Sequence, residues 1–178
     1  FADVAEALRT TDSRAKAAAV RVSLPAAAGG TATVTVSGVA KGVGMIHPNM
    51  ATMLSYVLTD ASVQPQTLSR LLRPIVARTW NQTSVDGDQS TNDTVLLVAS
   101  GASGAAPVDE DPEALSTLEQ AVESVARSLA RQQAADGEGA GTLITCAVSG
   151  AVDDAAARAA ARAVVSSDLL KAAVHGAD

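Results

Sequence analysis

The sequence predicts a mixed α/β fold in which long helices pack on a sheet. Three observations carry that reading. Apolar residues recur at helical spacing over 65–80 and 112–134, and they form short β-branched or alternating runs at 17–24, 31–37, 53–59, 94–99 and 142–149. The two kinds of segment interleave along the chain, as they do where helices cover a sheet. The chain has 178 residues, enough for one domain with a core, and only 2% of them are aromatic against 47% hydrophobic overall. The core must therefore be built from Ala, Val, Leu and Ile, which lets helices and strands approach closely.

In chain order, residues 2–9 predict the tail of a helix with Val4 and Leu8 on one face, ended by Thr10-Thr-Asp12. Residues 17–24 and 31–37 predict two strands of a hairpin turning between Pro25 and Gly30. After the stretch at 38–52 comes a strand at 53–59 and a connection from Asp60 to Pro65. Leu68, Leu71, Leu72, Ile75, Val76 and Thr79 fall on one face of a helix over 65–80. Asn81 to Asn92 is polar and turn-rich, 94–99 is an apolar strand, and Gly101 to Pro112 is a surface loop. Leu115, Leu118, Val122, Val125 and Leu129 stripe a helix over 112–134. Residues 142–149 predict a strand with Cys146 buried in it. Asp153 and Asp154 open an Ala-rich helix through Val165, where acidic residues favour the positive end. Ser166, Ser167 or Asp168 caps a last short helix.

Residues 38–60 organise the rest. Gly38, Gly42 and Gly44 predict a backbone-exposing loop around one cation, Lys41. Pro48 fixes its own φ and keeps His47 out of the helical region, so His47-Pro48-Asn49 turns. Thr52 then stands at the mouth of an apolar strand, with small Ala51 before it. A threonine hydroxyl is a weak nucleophile unless a base is adjacent, and its own α-amine is one such base. Freeing that amine requires a cut between Ala51 and Thr52, which the Thr52 hydroxyl makes by attacking the Ala51 carbonyl and passing through an ester. The freed amine, with an ordinary pKa of about 7.7–8.0, is partly neutral near pH 7. Spacing alone favours a Gly-rich loop feeding a strand, with Thr52 an ordinary strand threonine.

The stretch from Lys41 to Leu54, Lys-Gly-Val-Gly-Met-Ile-His-Pro-Asn-Met-Ala-Thr-Met-Leu, closely resembles the self-cleavage segment of the ornithine acetyltransferase (glutamate N-acetyltransferase) family. Arg9-Thr-Thr-Asp12, the acidic-polar run Ser84 to Thr94, Asp136-Gly-Glu-Gly139, and Ser167-Asp-Leu-Leu-Lys171 with Gly176-Ala-Asp178 resemble further family segments in the family's order. The resemblance implies the layered sheet-and-helix sandwich of the self-processing ornithine acetyltransferase and DmpA-type aminopeptidases, an N-terminal-nucleophile-like α/β architecture. It implies that residues 1–51 end an α chain and 52–178 begin a β chain, both from one precursor, assembled as a heterotetramer of two αβ units. It implies acetyl transfer from N-acetylornithine to glutamate through an acetyl-Thr52 intermediate, with no cofactor, in the cytoplasm. The pathway implied is arginine biosynthesis, with clavulanic-acid biosynthesis as the alternative. Related self-cleaving aminopeptidases or amidases, or a non-catalytic interaction domain that kept the motif, are the competing readings.

The resemblance also implies roles for four residues. Lys41 binds the substrate carboxylate; without the resemblance it reads as a solvated lysine. Thr10 contacts substrate; by itself it belongs to a helix-ending turn. Glu138 attracts the side-chain ammonium of ornithine, as opposite charges would; on its own it is an exposed-loop acid. Thr52 both reacts and binds. Family members place the oxyanion donors, a Thr-Gly pair, upstream of the segment that Phe1 begins, and the chain ends lack an initiator Met, so the expectation is a piece from the middle of a larger enzyme.

Other chemistries fit poorly. Asp86, Asp88, Asn92 and Asp93 do not have EF-hand spacing and predict a polar turn supporting the Thr52 pocket. His47 and His175 are isolated, so no triad or metal site is expected. No Gly-Lys-Ser/Thr follows Gly42 and Gly44 as a phosphate loop requires. Net charge is −6 with no basic cluster, which argues against nucleic acid. No apolar run is long enough to span a bilayer, so no membrane partner is expected, and no signal-peptide pattern opens the chain. A single cysteine excludes an internal disulfide.

Overall fold

The computed structural model describes residues 1–47 and 53–177. Its elements are α1 (Ala2–Ala7), β1 (Lys16–Pro25), β2 (Thr31–Lys41), β3 (Leu54–Thr59), α2 (Pro65–Arg78), β4 (Thr94–Ala99), α3 (Pro112–Ala135), α4 (Asp154–Val165) and α5 (Asp168–Gly176). Single 3₁₀ turns stand at Trp80–Gln82 and Val108–Glu110. Among the described residues the strands form one sheet in the order β1-β2-β3-β4.

β1 and β2 are the expected hairpin, paired antiparallel from Lys16 opposite Ala40 to Pro25 opposite Thr31. Gly29 and Gly30 take φ of 91° and 78° in its turn, a backbone that side chains disfavour. β3 joins β2 antiparallel, and β4 joins β3 in parallel through the α2 crossover. Residues directly opposite in a ladder share a face. One face therefore carries Ala18, Val20, Val22 and Leu24, then Val34, Val36, Gly38 and Ala40, then Ser55, Val57 and Thr59, then Val95 and Leu97.

α3 crosses that face. Asp111 caps it by accepting from the Glu113 and Ala114 amides, and Pro112 begins it without an amide to waste. Leu118, Val122, Val125 and Leu129 are buried, with Ala114, Ala121, Ala126 and Ala130 beside them. These small residues bring the helix close to the strands. A Cβ on Gly38 would lie 2.8 Å from Leu129 Cδ1 and 2.9 Å from the Tyr56 carbonyl oxygen. Gly38 is thus a packing glycine within β2, not part of a flexible loop, and Lys41 is the last residue of that strand.

Leu71, Ile75 and Thr79 bury the expected face of α2, and Trp80 follows them into the core. In α1 the buried residue is Ala5, while Val4 is exposed. On the outer face of the sheet Leu58, Leu96 and Val98 remain open to solvent. No helix among the described residues is long and apolar enough to cross a membrane.

The strand expected at 142–149 does not form. Among the described residues no backbone hydrogen bond joins this extended run to another element, and it lines a cavity with Thr83–Val85, Arg131, Arg162 and Lys171. Alternation reports one-sided burial, which half-buried Ile144 and Cys146 satisfy against exposed neighbours without a ladder partner. Cys146 is accordingly half-buried beside the cavity rather than a core residue. α4 is capped by Asp153, and α5 by Ser167 of the three candidates.

Candidate active site

The sequence places the proposed chemistry at Ala51 and Thr52, and both lie outside the described residues. The flanks of that segment are described, and one polar stretch holds both. On the upstream side the Asp86 carboxylate accepts from the Met45 amide at 2.5 Å and the Ile46 amide at 3.1 Å. The Val85 amide donates to the Ile46 carbonyl, and His47 Nδ1 meets Ser84 Oγ at 3.0 Å. Burial, then the charges of Arg162 and Lys171, hold the His47 imidazole below its ordinary pKa. On the downstream side Asp93 Oδ1 accepts from the Met53 amide at 2.6 Å, and the Thr94 amide donates to the Met53 carbonyl. The run Ser84–Thr94 is the polar turn the sequence suggested, and it holds Met45, Ile46, His47 and Met53. Asp86 and one oxygen of Asp93 accept from backbone amides, and among the described residues no three His, Cys, Asp or Glu side chains converge as metal ligands.

The three predicted substrate residues in the described region are linked by a buried ionic triad. Lys16 opens β1 on the core-facing side, wholly buried. Its Nζ lies 2.5 Å from Asp12 Oδ1 and 2.5 Å from Asp136 Oδ2. Asp12 also accepts from the Gly42 amide at 2.8 Å and the Thr10 amide at 3.3 Å. Asp136 accepts from both the amide and the hydroxyl of Ser13. Burial raises both carboxyls, but Lys16 and the other donors outweigh it and hold each below the usual carboxylate value. Thr10 sits two residues from Asp12, Lys41 is next to Gly42, and Glu138 is two residues from Asp136. One lysine therefore fixes the roots of all three segments.

Each predicted side chain then has its own setting. Thr10 is exposed, with its hydroxyl 3.5 Å from Asp12 Oδ2. Lys41 is half-buried, pairs across the ladder with Leu54, and has its carbonyl held by Gln133 Nε2 at 2.8 Å. Gln133 is itself fixed by the Trp80 indole at 2.7 Å. Glu138 is exposed and donates its amide to the Val43 carbonyl at 2.8 Å. Its carboxylate lies over Gly44, where a Cβ would stand 3.0 Å from Oε2. Gly137 is needed because Val85 packs on it, with a Cβ there only 2.7 Å from Val85 Cγ1. The Glu138 loop thus touches both the glycine loop and the polar run.

Sequence reasoning missed the triad as a unit. One signal was present: Lys16 keeps the alternation of Ala18, Val20, Val22 and Leu24, so it occupies a core position that a lone cation enters only when paired. The arrangement as a whole offers a cation at the end of β2 and a carboxylate on an anchored loop over Gly44.

A profile of the ArgJ family matches residues 2–178. The chain is 45% identical over 174 residues to the arginine biosynthesis bifunctional protein ArgJ of Thermotoga neapolitana, covering 98% of this chain and 43% of that one. It is 48% identical over 177 residues to the protein of the same name from Symbiobacterium thermophilum, covering 99% and 43%. The crystal structure of arginine biosynthesis bifunctional protein ArgJ from Bacillus halodurans superposes with a TM-score of 0.67 at 39% identity, over 69% of this chain and 58% of that one. The mixed α/β fold expected from the sequence is thus that of a solved relative. The chain spans about two fifths of the length of the curated relatives it matches. The match along nearly every residue, together with the shared fold, shows that this chain belongs to the ArgJ family.

Proposed function

We infer that this chain is the self-cleaving centre of a glutamate N-acetyltransferase. Thr52 severs the bond to Ala51, and its freed α-amine then serves as the base for its own hydroxyl. The hydroxyl attacks the acetyl carbonyl of N-acetylornithine, ornithine leaves, and glutamate takes the acetyl group from Thr52. Residues 1–51 then belong to an α chain and 52–178 to a β chain, assembled as two αβ units in the cytoplasm. Lys41 pairs with the α-carboxylate of either amino acid, Thr10 hydrogen-bonds substrate, and Glu138 attracts the ornithine ammonium.

The observation that carries this reading is the triad of Lys16, Asp12 and Asp136, which anchors the segments bearing Thr10, Lys41 and Glu138 to one buried point. Substrate selection by charge needs a cation and an acid held at a fixed separation. A solvated surface lysine and a free loop acid would need no such anchor. The names of the relatives agree with a role in arginine biosynthesis, since those proteins are called arginine biosynthesis bifunctional proteins.

The test is acetyl exchange on the full-length protein, with labelled glutamate as acceptor. Denaturing mass spectrometry of the same sample reads the cut. The reading expects two chains meeting at Ala51 and Thr52, glutamate-dependent transfer, and an uncut, inactive Thr52→Ala variant. Plain amide hydrolysis without glutamate dependence would favour a related amidase, and an intact active chain would sink the reading.

A further inference from the structure

The core stripe of α3 ends on a polar residue. Gln133 stands one helical turn after Leu129 and is 1% exposed. An apolar side chain would fit there more simply, since a buried amide is costly unless its ends are partnered. Here both ends are. The Trp80 indole donates to Oε1 at 2.7 Å, and Nε2 donates to the Lys41 carbonyl at 2.8 Å. An indole nitrogen can only donate. Trp80 therefore fixes which end of the amide accepts and leaves the amino group aimed at the end of β2.

The carbonyl that Gln133 holds is half of one peptide unit. The other half, the Gly42 amide, donates to Asp12 Oδ1 at 2.8 Å. The peptide between Lys41 and Gly42 is thus gripped from both sides, by α3 through Gln133 and by the ionic triad through Asp12. A peptide is planar, so two opposed hydrogen bonds set its plane, and with it the last dihedral of Lys41 and the first of Gly42. Gly42 takes φ of 128°, a value that residues with side chains disfavour. The ladder, with Leu54 opposite, sets the other side of Lys41. The root of the Lys41 side chain is fixed on both sides of its Cα.

We propose that Gln133 is a positioning residue for substrate, one that holds the Lys41 backbone so that the ammonium meets the substrate α-carboxylate at a fixed place. The inference rests on the carboxylate role given to Lys41 above. A lysine ammonium is a point charge on a flexible stem, so its aim depends on how firmly the stem is rooted. An α-carboxylate is common to N-acetylornithine and glutamate, so one clamp serves both halves of the exchange. Releasing the clamp weakens the grip on that carboxylate in ground state and transition state alike. Such a loss raises KM and leaves kcat nearly unchanged.

Steady-state acetyl exchange by Gln133→Met in the full-length protein tests this, because Met keeps the length and bulk of the side chain without either hydrogen bond. KM for N-acetylornithine and KM for glutamate rise by a common factor of about ten, while kcat stays within about twofold. Trp80→Phe keeps Gln133 but frees its amide to turn, and raises both KM values together by about threefold. If Gln133→Met fails to cut itself, Trp80→Phe decides by the same pattern. Unchanged KM values, a rise for one substrate alone, or a fall in kcat without a rise in KM overturns the proposal and leaves Gln133 as a core contact. Failure of both variants to cut themselves also overturns it, since the clamp would then serve the fold and not the substrate. Lys41→Met separates the two ideas. A loss of kcat/KM there beside unmoved Gln133→Met and Trp80→Phe fails this inference alone, while undiminished kcat/KM in Lys41→Met fails the reading beneath it.

Discussion

Replacing Lys16 by Met removes one cation and leaves two buried carboxylates facing each other. Nζ is wholly buried and sits 2.5 Å from both Asp12 and Asp136. Breaking a buried ion pair from one side costs about 3–5 kcal/mol, chiefly because the remaining charge is uncompensated. Asp12 keeps the Gly42 and Thr10 amides and Asp136 keeps Ser13, so the lower end of that range, about 3 kcal/mol, is expected near pH 7. Against a typical total of about 5–15 kcal/mol the variant still folds. Urea unfolding of the full-length protein at several pH values is the assay. In the native protein both carboxyls titrate below the usual 3.8, so their stabilisation is complete above that value and is lost as pH falls through the folded values. In Lys16→Met the carboxyls instead resist ionisation, so its deficit narrows as pH drops from about 7 to about 5. Adding Asp12→Asn and Asp136→Asn removes the stranded charge and restores most of the loss. KM for the two proposed substrates rises severalfold, because the three segments proposed to bind them lose their common root. A deficit below about 1 kcal/mol near pH 7, or one indifferent to both pH and the two Asn substitutions, refutes the reasoning.

Three further outcomes follow from the same geometry. Asp86→Ala removes the charged acceptor of the Met45 and Ile46 amides, worth about 1.5–3 kcal/mol, and should slow self-cleavage as read by the intact-chain fraction over time. Gly38→Ala forces a methyl against Leu129 and the Tyr56 carbonyl, with an expected cost of about 1–3 kcal/mol in urea unfolding. Asp93→Asn has the opposite sign. The Asp93 carboxyl titrates near 6 in the fold against an ordinary 3.8, so the folded state binds the extra proton and stability falls as pH rises through that window. The Asn variant escapes this penalty and should melt higher than wild type near pH 8, by an amount worth at most about 3 kcal/mol, with no difference near pH 4. Equal melting at both pH values would contradict it.

Much of the fold was legible because its signals are local. The β1–β2 hairpin follows from alternation around a Gly-Gly turn, and α3 follows from its apolar stripe and the Asp111-Pro112 start. The failures have one cause. The run at 142–149 carries the period of a strand, but period reports burial on one side and says nothing of a ladder partner. Gly38 reads as loop by composition, yet it is a strand residue fixed by Leu129, ninety-one positions away in the chain. The site divides the same way. Thr52, Lys41 and Glu138 are proposed from motifs, whereas the joining of Asp136 to Asp12 and Lys16 depends on a contact across more than a hundred positions, which no spacing encodes. Lys16 alone announced itself, as a charge in the core phase of an apolar strand.

The covalent state of Thr52 tests the account most directly. Full-length protein is mixed with N-acetylornithine in the absence of glutamate, quenched in acid, and its chains are weighed intact. The account predicts that the chain beginning at Thr52 gains one acetyl group, located on that residue by fragmentation, and loses it when glutamate is added. An acetyl group on another residue, or none on a protein that still transfers acetyl, would contradict it.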